Sequence, residues 1–281
     1  MTGPAPRVAV VGHVEWVEFA RIDVMPRPGE VGHATHTGWE PAGGGAVAAV
    51  QLARLAGRAT LFTALGDDEH GRSARDRLTE LGVCVHAALR PQPTRRALTV
   101  IDDRGERTIV TLGERLAPRA ADPLPWELLA QTDAVYFTAG DAGALQAARG
   151  ARVLVATPRA RMAVDGGVTL DALVLSAHDP DEQHEAQRTP PDTVALSVFT
   201  EGAQGGRYRR RDGRSGTWDA AQLPGRPADS YGCGDSFAAG LAFALGAGSA
   251  LDDALGLAAR CGATCLTGHG PYERQLSAAD L

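Results

Sequence analysis

The chain has 281 residues, with 28 basic and 34 acidic side chains and a formal net charge of −6. This balance, without a long basic run, argues against a nucleic-acid or membrane surface as the main partner. Every basic residue is arginine, so a mechanism that depends on a catalytic or P-loop lysine is excluded. We expect a cytoplasmic protein, since no signal-peptide pattern opens the sequence and no apolar run reaches ~18 residues.

Short apolar runs alternate with helical patterns along most of the chain. In chain order, the sequence predicts a strand, a helix, a strand and a helix, followed by four further strands and two consecutive helices. Strands that alternate with helices predict a mostly parallel sheet covered by helices on both faces, which is an α/β fold. The predicted strands are Arg7–Gly12, Thr60–Leu65, Asp133–Thr138, Arg152–Ala156, Ala172–Ser176 and Thr193–Thr200, and the predicted helices are Gly44–Ala56, Gly71–Leu81, Gly234–Leu245 and Leu251–Leu266.

Two extended stretches interrupt this alternation, within about residues 14–37 and 96–112. In the second, Ala97–Asp102 and Arg107–Leu112 flank a polar turn, which is typical of a β-hairpin. Strand material of this kind within an α/β chain predicts a small β-lid. No linker divides the chain, so we expect one domain over residues 1–281.

The most informative segment for chemistry is Asp229–Phe237, in which a Gly-Cys-Gly turn leads into an Ala-rich helix. Free N–H groups and the positive end of the helix dipole would meet at this turn, and both stabilise anionic oxygen. Asp235, one step into the helix, could act there as a base in phosphoryl transfer to an alcohol. From spacing alone, a glycine-rich loop with Asp235 as an ordinary helix-start residue is about equally plausible.

Three other glycine-rich segments follow or precede predicted elements. Gly43–Ala49 is either a turn that contacts substrate or a point of tight helix–sheet packing. Thr200–Gly206 could line a nucleotide pocket or be a common strand-to-hairpin turn. The acidic loop Gly66–Gly71 could hold a metal ion, but a helix N-terminus decorated with carboxylates is the favoured interpretation.

The four cysteines are Cys84, Cys233, Cys261 and Cys265. Their spacing matches neither a zinc site nor a disulfide framework. The Cys-x3-Cys pair lies in an Ala-rich segment that favours a helix packing face. We therefore expect four reduced thiols.

Together these segments resemble the signatures of the ribokinase-like PfkB carbohydrate kinases. Gly43–Asp68 resembles the family's first signature, and Asp229–Asp235 resembles the second, usually Asp-Thr-x-Gly-Ala-Gly-Asp. Here Ser230 stands in place of the threonine and Cys233 in place of the alanine. Pro26–Glu30 is similar to the loop near the family's lid. The resemblance covers nearly the whole chain.

The resemblance implies a three-layer fold, with helices on both faces of a central sheet and a small β-lid over the substrate. It also implies ATP and Mg2+ as cofactors, a small-molecule substrate, and a homodimer formed through the lid. Asp235 then matches the catalytic base, and the N–H groups of the turn form the anion hole. By position, the resemblance assigns the anion hole to Gly232, Cys233 and Gly234. It assigns the substrate side to Gly43, Gly44 and Gly45. It assigns the nucleotide side to Thr200, Gly202 and Gly205, together with Gly232 and Gly234.

The chain departs from the family's pattern on the acceptor side. Val47 or Ala48 occupies the place of an asparagine that contacts the sugar, and Glu15-Trp16-Val17 replaces an Asn-x-Asp. Glu15 or Glu18 could substitute for that aspartate. The family's Asn-x-x-Glu, which helps organise Mg2+ and phosphate, is matched to residues 178–181, so His178 and Asp181 are candidate metal-organising residues. Loss of this function from the loop is an equally open alternative.

These departures leave three hypotheses open. The chain is a kinase for a sugar or sugar-like alcohol, a nucleoside kinase in which Trp16 stacks on a base, or a non-catalytic ligand-binding protein on a kinase fold. Retention of Asp235 argues against the third. A monovalent-cation requirement near Gly268–Gly270 is also left open.

Overall fold

Nine strands form the large sheet of the computed structural model, which describes residues 5–160 and 167–281. The strands are β1 Val8–Val11, β4 Ala59–Gly66, β5 Val83–Arg90, β8 Ala134–Phe137, β9 Val153–Ala156, β10 Ala172–Ser176, β11 Leu196–Thr200, β12 Gly206–Arg210 and β13 Ser215–Trp218. Their order is β13-β12-β11-β10-β9-β8-β1-β4-β5. All neighbours from β11 to β5 are parallel, whereas β12 and β13 add an antiparallel hairpin at one edge.

A second, four-stranded sheet is built from the two extended stretches. Its strands are β2 Glu15–Arg21, β3 His36–Ala42, β6 Arg96–Ile101 and β7 Arg107–Leu112, in the order β3-β2-β6-β7. β3 continues five residues beyond the predicted limit at residue 37. Glu15, Val17 and Phe19 are buried because alternate residues of a strand face the same side. The small sheet therefore turns one face of β2 towards the rest of the protein.

Six α-helices cover the large sheet in the described part of the chain. They are α1 Gly44–Ala56, α2 Glu69–Glu80, α3 Ala142–Ala148, α4 Pro180–Arg188, α5 Cys233–Gly246 and α6 Leu251–Leu266. Short 3-10 helices span Trp126–Gln131, Pro191–Thr193, Gly202–Gln204 and Ala278–Asp280. α1, α5 and α6 pack into one apolar cluster and α3 into another on the opposite face, which confirms the α/β prediction. Within residues 5–160 and 167–281, no helix is both long and apolar enough to cross a bilayer.

The acidic loop after β4 forms a helix N-terminus, as the favoured interpretation predicted. The Asp68 carboxylate accepts hydrogen bonds from the N–H of Gly71 at 2.8 Å and from the N–H and hydroxyl of Thr94, both at 2.7 Å. These donors lower the pKa of Asp68 although its partial burial acts in the opposite direction. The loop thus serves to start α2 and to tie it to the segment before β6.

Candidate active site

The N-terminus of α5 opens onto free space at the predicted Gly-Cys-Gly turn. Gly232 precedes the helix with φ 82°, a left-handed conformation that glycine adopts without strain. Gly234 is exposed, and apart from its chain neighbours and the backbone of its own helix no described heavy atom lies within 4 Å of the position that a Cβ would occupy there. Because the first N–H groups of a helix have no intrahelical partner, this turn can receive an anion from the open side.

Four contacts hold this turn in place from behind. The buried Asp229 carboxylate accepts hydrogen bonds from the N–H of Tyr231 at 2.8 Å and of Gly270 at 2.9 Å. The Ser230 hydroxyl accepts a hydrogen bond from Arg107 of the small sheet at 2.8 Å. The Tyr231 hydroxyl in turn accepts a hydrogen bond from the N–H of Gly43 at 3.3 Å. The turn is therefore linked both to the small sheet and to the start of α1.

The Asp235 carboxylate lies between the first turns of α5 and α1. A Cβ placed on Gly44 would stand 3.0 Å from Oδ1 of Asp235, so the carboxylate rests directly against the start of α1. Burial raises the pKa of Asp235, while the positive charges of Arg159 and Arg107 lower it and Glu182 raises it further. A carboxylate that is still partly open to solvent thus lies where two helices begin, and the positive charges of two arginines favour its ionised form.

Charged side chains from β2 and its surroundings lie on the side of the turn that the sequence analysis assigned to the substrate, which is called the acceptor side below. Glu15 is 6% exposed, and its Oε1 lies 3.2 Å from Nη1 of Arg95 and 3.6 Å from Nε2 of His13. A Cβ on Gly43 would stand 3.0 Å from the His13 ring and 3.4 Å from Cγ of Glu15. Glu15 and the glycine turn before α1 are therefore neighbours, as the substrate-side prediction required.

The titration of these acceptor-side groups is governed mainly by burial. Burial raises the pKa of Glu15, although the positive charge of Arg95 lowers it. Burial, together with the positive charges of Arg115, Arg95 and Arg159, holds the pKa of His13 well below its usual range. His13 is consequently neutral near pH 7, and its Nδ1 is buried without a hydrogen-bond partner among the described residues.

Two of the residues predicted on the substrate side are packed within the protein. Gly45 packs against the segment that follows β1, where an added Cβ would stand 2.6 Å from the carbonyl oxygen of His13. Val47 is fully buried beneath the anion-hole turn, with Cγ1 2.9 Å from the position of a Cβ on Gly232. Both residues are therefore packed against the protein rather than facing a ligand.

Trp16 does not extend into the cleft beside Glu15. Its ring stacks with Trp39, at 6.4 Å between centroids, and with His70, at 6.2 Å. Adjacent residues of β2 face opposite sides of the small sheet, which separates Trp16 from Glu15. The observation that suggested base stacking is thus accounted for by packing within the protein.

The predicted nucleotide-side residues follow β11. Thr200 ends the strand, and its hydroxyl donates a hydrogen bond to the Leu175 carbonyl at 3.4 Å. Gly202 has φ 60°, and no described heavy atom lies within 4 Å of a Cβ placed on it. Gly205, in contrast, is packed against β13, since its Cβ would stand 2.1 Å from the Trp218 carbonyl oxygen. Gly202 is the residue of this group that faces open space.

The predicted metal-organising pair faces solvent, and neighbouring residues face inward. His178 and Asp181 are both exposed. Asp179 caps α4 by accepting hydrogen bonds from the N–H of Asp181 at 3.0 Å and of Glu182 at 3.2 Å. Glu182 is 8% exposed, and the described residues contain no group of three or more candidate metal ligands. A metal role for His178 and Asp181 stays a prediction.

The sequence analysis did not single out Arg159 and Glu182, whose charges act on the pKa of Asp235. Glu182 forms an ion pair with Arg159 and accepts a hydrogen bond from the N–H of Ser176 at 2.7 Å. Arg159 also lies 3.3 Å from Asp179. Matching Asp179–Glu182, one residue further on, to the Asn-x-x-Glu pattern places a glutamate in the last position. That alternative register was the available signal for Glu182.

The proposed cation turn is fastened to the same buried carboxylate as the anion hole. Gly270 donates to Asp229, as described above, and the N–H of His269 donates to Glu273 at 2.5 Å. Gly268 is packed against Arg274, whose N would stand 2.7 Å from an added Cβ. These contacts explain the fixed shape of the turn, and a monovalent cation there stays a prediction.

Comparison with known proteins places this geometry in a family. A family model described as pfkB family carbohydrate kinase matches residues 5–165 and 170–278. A fructokinase of Vibrio alginolyticus is 39% identical over 71 residues, which is 24% of this chain and 23% of that protein. The chain thus matches less than a quarter of that relative's length.

Solved structures resemble the chain over almost its whole length. A ribokinase of Arabidopsis thaliana, solved with ribose and ATP, aligns with a TM-score of 0.76 and 18% identity, covering 98% of this chain and 97% of that one. A ribokinase of Cryptococcus neoformans var. grubii serotype A, solved with ADP, aligns with a TM-score of 0.73 and 23% identity, covering 98% of both chains. These TM-scores over almost the whole length of the chain establish a shared ribokinase-like fold.

Proposed function

The chain belongs to the pfkB family of carbohydrate kinases, and from this premise we propose that it transfers the γ-phosphoryl group of ATP to a hydroxyl group of a sugar or sugar-like molecule. The observation that carries the proposal is the position of Asp235. Its carboxylate lies at the open N-terminus of α5 and against Gly44 at the start of α1. A base and a set of N–H donors then face the same space, as phosphoryl transfer to an alcohol requires.

In this mechanism Asp235 accepts the proton of the acceptor hydroxyl as its oxygen attacks the phosphorus atom. The N–H groups at residues 232–234 donate hydrogen bonds to the oxygens of the transferred group, where negative charge is greatest. Burial makes Asp235 a better proton acceptor than an exposed aspartate. The positive charges of Arg159 and Arg107 act against this rise in pKa and favour the ionised carboxylate, the form in which a general base accepts a proton.

The nucleotide assignment draws support from the fold and from open space beside β11. The Arabidopsis and Cryptococcus ribokinases were solved with ATP and ADP, respectively. We place the nucleotide between Thr200–Gly202 and the N-terminus of α5. Mg2+ would neutralise charge on the phosphates. The carboxylates of Asp179 and Glu182 are held by Arg159, and we propose that they orient water molecules bound to this Mg2+.

The acceptor side favours a polyhydroxylated or acidic small molecule. Glu15 offers a hydrogen-bond acceptor and Arg95 a donor at the wall of the cleft next to Gly43. The nucleoside alternative has no stacking side chain from Trp16, which is engaged with Trp39 and His70. Sugars and sugar acids therefore come before nucleosides in the order of substrates to test.

We further propose that the small sheet acts as a lid and as a homodimer interface. Its exposed apolar side chains support this assignment. They are Trp39, Ile109, Val110 and Leu112, which are 42–51% exposed. Light scattering coupled to size-exclusion chromatography would give twice the chain mass if two copies associate through this surface.

The test of the catalytic proposal is ADP release with ATP, Mg2+ and a panel of pentoses, hexoses, sugar acids and nucleosides. We expect Asp235→Asn to lower kcat by ~10²-fold or more, because a positioned general base is lost. Its affinity for ATP, measured by calorimetry, should be retained. Asp212→Asn is the matched control, since Asp212 is an exposed aspartate that pairs with Arg214.

Full turnover by Asp235→Asn would contradict the mechanism. Tight binding of a panel member without any ADP release by the wild type would instead support the non-catalytic alternative.

A further inference from the structure

A cavity opens on the face of the large sheet that is opposite to α5. Its floor is formed by β10, β11 and β12, and its wall by α4 and residues 189–192. Leu173 of the floor belongs to the apolar cluster that contains α3, whereas the next residue, Val174, belongs to the cluster that contains α5. Because successive residues of a strand face opposite sides of a sheet, the cavity and α5 are on opposite faces.

The floor of the cavity is mostly apolar. The pairing of β10 with β11 places Leu173 beside Ser197 and Leu175 beside Phe199, so that these four side chains face the same side. The volume of the cavity is about 610 Å³. Sites for small molecules typically have volumes of ~300–1,000 Å³ and apolar walls that carry a few polar groups. Size and lining therefore match a small molecule with an apolar body.

The charged groups of the cavity favour an anion. The lining contains three arginines and one aspartate, which are Arg209, Arg210, Arg211 and Asp192. Arg211 is engaged, since its Nη1 donates a hydrogen bond to the Asp192 carbonyl at 3.0 Å. Arg209 is exposed, and within residues 5–160 and 167–281 its guanidinium group has neither a hydrogen bond nor an ion pair. Arg209 is paired with Ser197 across β11 and β12, so its side chain is on the same side of the sheet as the apolar floor.

A buried hydroxyl group gives a second, independent indication of a ligand. Thr189 follows the last residue of α4, lines the cavity and is 4% exposed. Its Oγ1 has no hydrogen-bond partner among the residues that the structure describes. A buried polar group of this kind is costly unless a partner bonds to it. A polar atom of a molecule in the cavity would supply that partner.

We propose that this cavity is a second binding site, separate from the candidate active site, for a small organic anion with an apolar body. The apolar body lies against Leu175 and Phe199, the anionic group binds the guanidinium group of Arg209, and a further polar atom bonds to the Thr189 hydroxyl. The inference does not depend on the proposed kinase activity, because it concerns a different face of the sheet.

The test is a fluorescence titration of the whole protein with two dyes that share one apolar body. Anilinonaphthalene sulfonate is anionic, and N-phenylnaphthylamine is its neutral analogue without the sulfonate group. We expect the wild type to bind the anionic dye saturably and ~10-fold more tightly than the neutral dye, because a hydrogen bond to a charged group adds to the same apolar contact. Saturating ATP should leave this affinity unchanged.

Two variants on neighbouring strands test the position of the anionic group. Arg209→Gln should lower the affinity for the anionic dye ~10-fold and leave the affinity for the neutral dye unchanged. Ser197→Asp places a negative charge beside Arg209 and should lower the affinity for the anionic dye at least as much. Arg58→Gln is the matched control, since Arg58 is exposed between α1 and β4, towards the other edge of the sheet, and this variant should bind both dyes as the wild type does.

Three results would overturn the inference, provided that circular dichroism shows the variants to be folded. The first is equal affinity of the wild type for the two dyes. The second is an equal effect of Arg209→Gln and Arg58→Gln on the anionic dye. The third is displacement of the anionic dye by ATP, which would place the dye in the candidate active site. ADP release is measured separately, so failure of this inference and failure of the proposed function are distinguishable.

Discussion

The two walls of the cleft are built from different materials. On the phosphoryl side, the wall is the main chain of residues 232–234, opened by the left-handed conformation of Gly232. On the acceptor side, it consists of the charged or titratable side chains of His13, Glu15 and Arg95. One wall presents fixed dipoles and the other presents groups whose charge depends on their neighbours.

This difference determines how each wall responds to change. A main-chain site depends on backbone geometry, because its N–H donors are fixed by it, and an added Cβ is harmful where the glycine has a left-handed conformation, as at Gly232, or meets a neighbouring group, as at Gly44. A wall of side chains tolerates backbone adjustment but depends on the pairing of every buried charge. Steric substitutions should therefore damage the phosphoryl side most, and charge substitutions should chiefly alter pH dependence.

Apart from loss of the proposed base itself, the largest effect is expected from Gly44→Ala, which adds a methyl group where α1 meets the carboxylate of Asp235. The new Cβ would stand 3.0 Å from Oδ1 of Asp235 and 3.5 Å from the Thr138 side chain. Displacement of the carboxylate should lower kcat ~10- to 100-fold. The fold should be retained, because alanine is favoured over glycine in a helix.

The matched control for Gly44→Ala is Gly256→Ala, which makes the same change within α6. No described heavy atom lies within 4 Å of a Cβ at Gly256. This variant should keep full activity and gain ~0.5–1 kcal/mol in free energy of unfolding. Thermal melts show whether both variants are folded, and steady-state assays compare their activities. If both are folded and equally active, the placement of Asp235 against α1 is wrong.

A smaller effect is expected from Arg159→Gln, which removes a positive charge near Asp235. Arg159 lowers the pKa of Asp235 and neutralises Glu182, which raises it. Without Arg159 the carboxylate therefore takes up a proton at higher pH, so the acidic limb of kcat/KM against pH should move to higher pH. Activity should consequently fall more at pH 6 than at pH 8.

Arg214→Gln provides the control for this shift. Arg214 pairs with Asp212 on an exposed turn, so its loss removes one arginine without altering the cleft. Its pH profile should coincide with that of the wild type. An unchanged acidic limb in Arg159→Gln would show that Arg159 does not act on the ionisation of the catalytic base.

Much of the fold was predictable because the buried strands and helices carry strong local patterns. The bounds of α1, α6 and β10 agree with the sequence prediction residue for residue. β5 and the β12–β13 hairpin were missed. Both lie at the edges of the large sheet, where β5 is largely half-buried and β12 alternates with arginines, so neither presents a continuous apolar run.

The residues of the candidate site also differ in whether local sequence patterns could predict them. The Gly232–Asp235 turn could be predicted since glycine conformation and a helix start are local properties. Arg159 could not, and Glu182 could be found only by matching the Asn-x-x-Glu pattern one residue further on, because their pairing joins the segment after β9 to the first turn of α4, 23 residues away. Val47 was assigned to the substrate side from a matched pattern, but its side chain supports the turn from below.

The smallest effect concerns stability rather than catalysis and comes from His13. Its folded-state pKa lies well below the usual value of ~6.5, so on acidification the unfolded chain binds a proton before the folded protein does. The free energy of unfolding should therefore fall as pH drops below ~6.5, by at most ~1.4 kcal/mol per pH unit from this residue.

His13→Gln should make this decline shallower in urea titrations between pH 7.5 and 5.5. His36→Gln, at an exposed position on β3, should keep the wild-type slope. The comparison of slopes is informative even if His13→Gln lowers stability at every pH. Equal slopes for the wild type and His13→Gln would show that the arginines and burial around His13 do not keep it neutral, and the acceptor wall would then carry an additional positive charge.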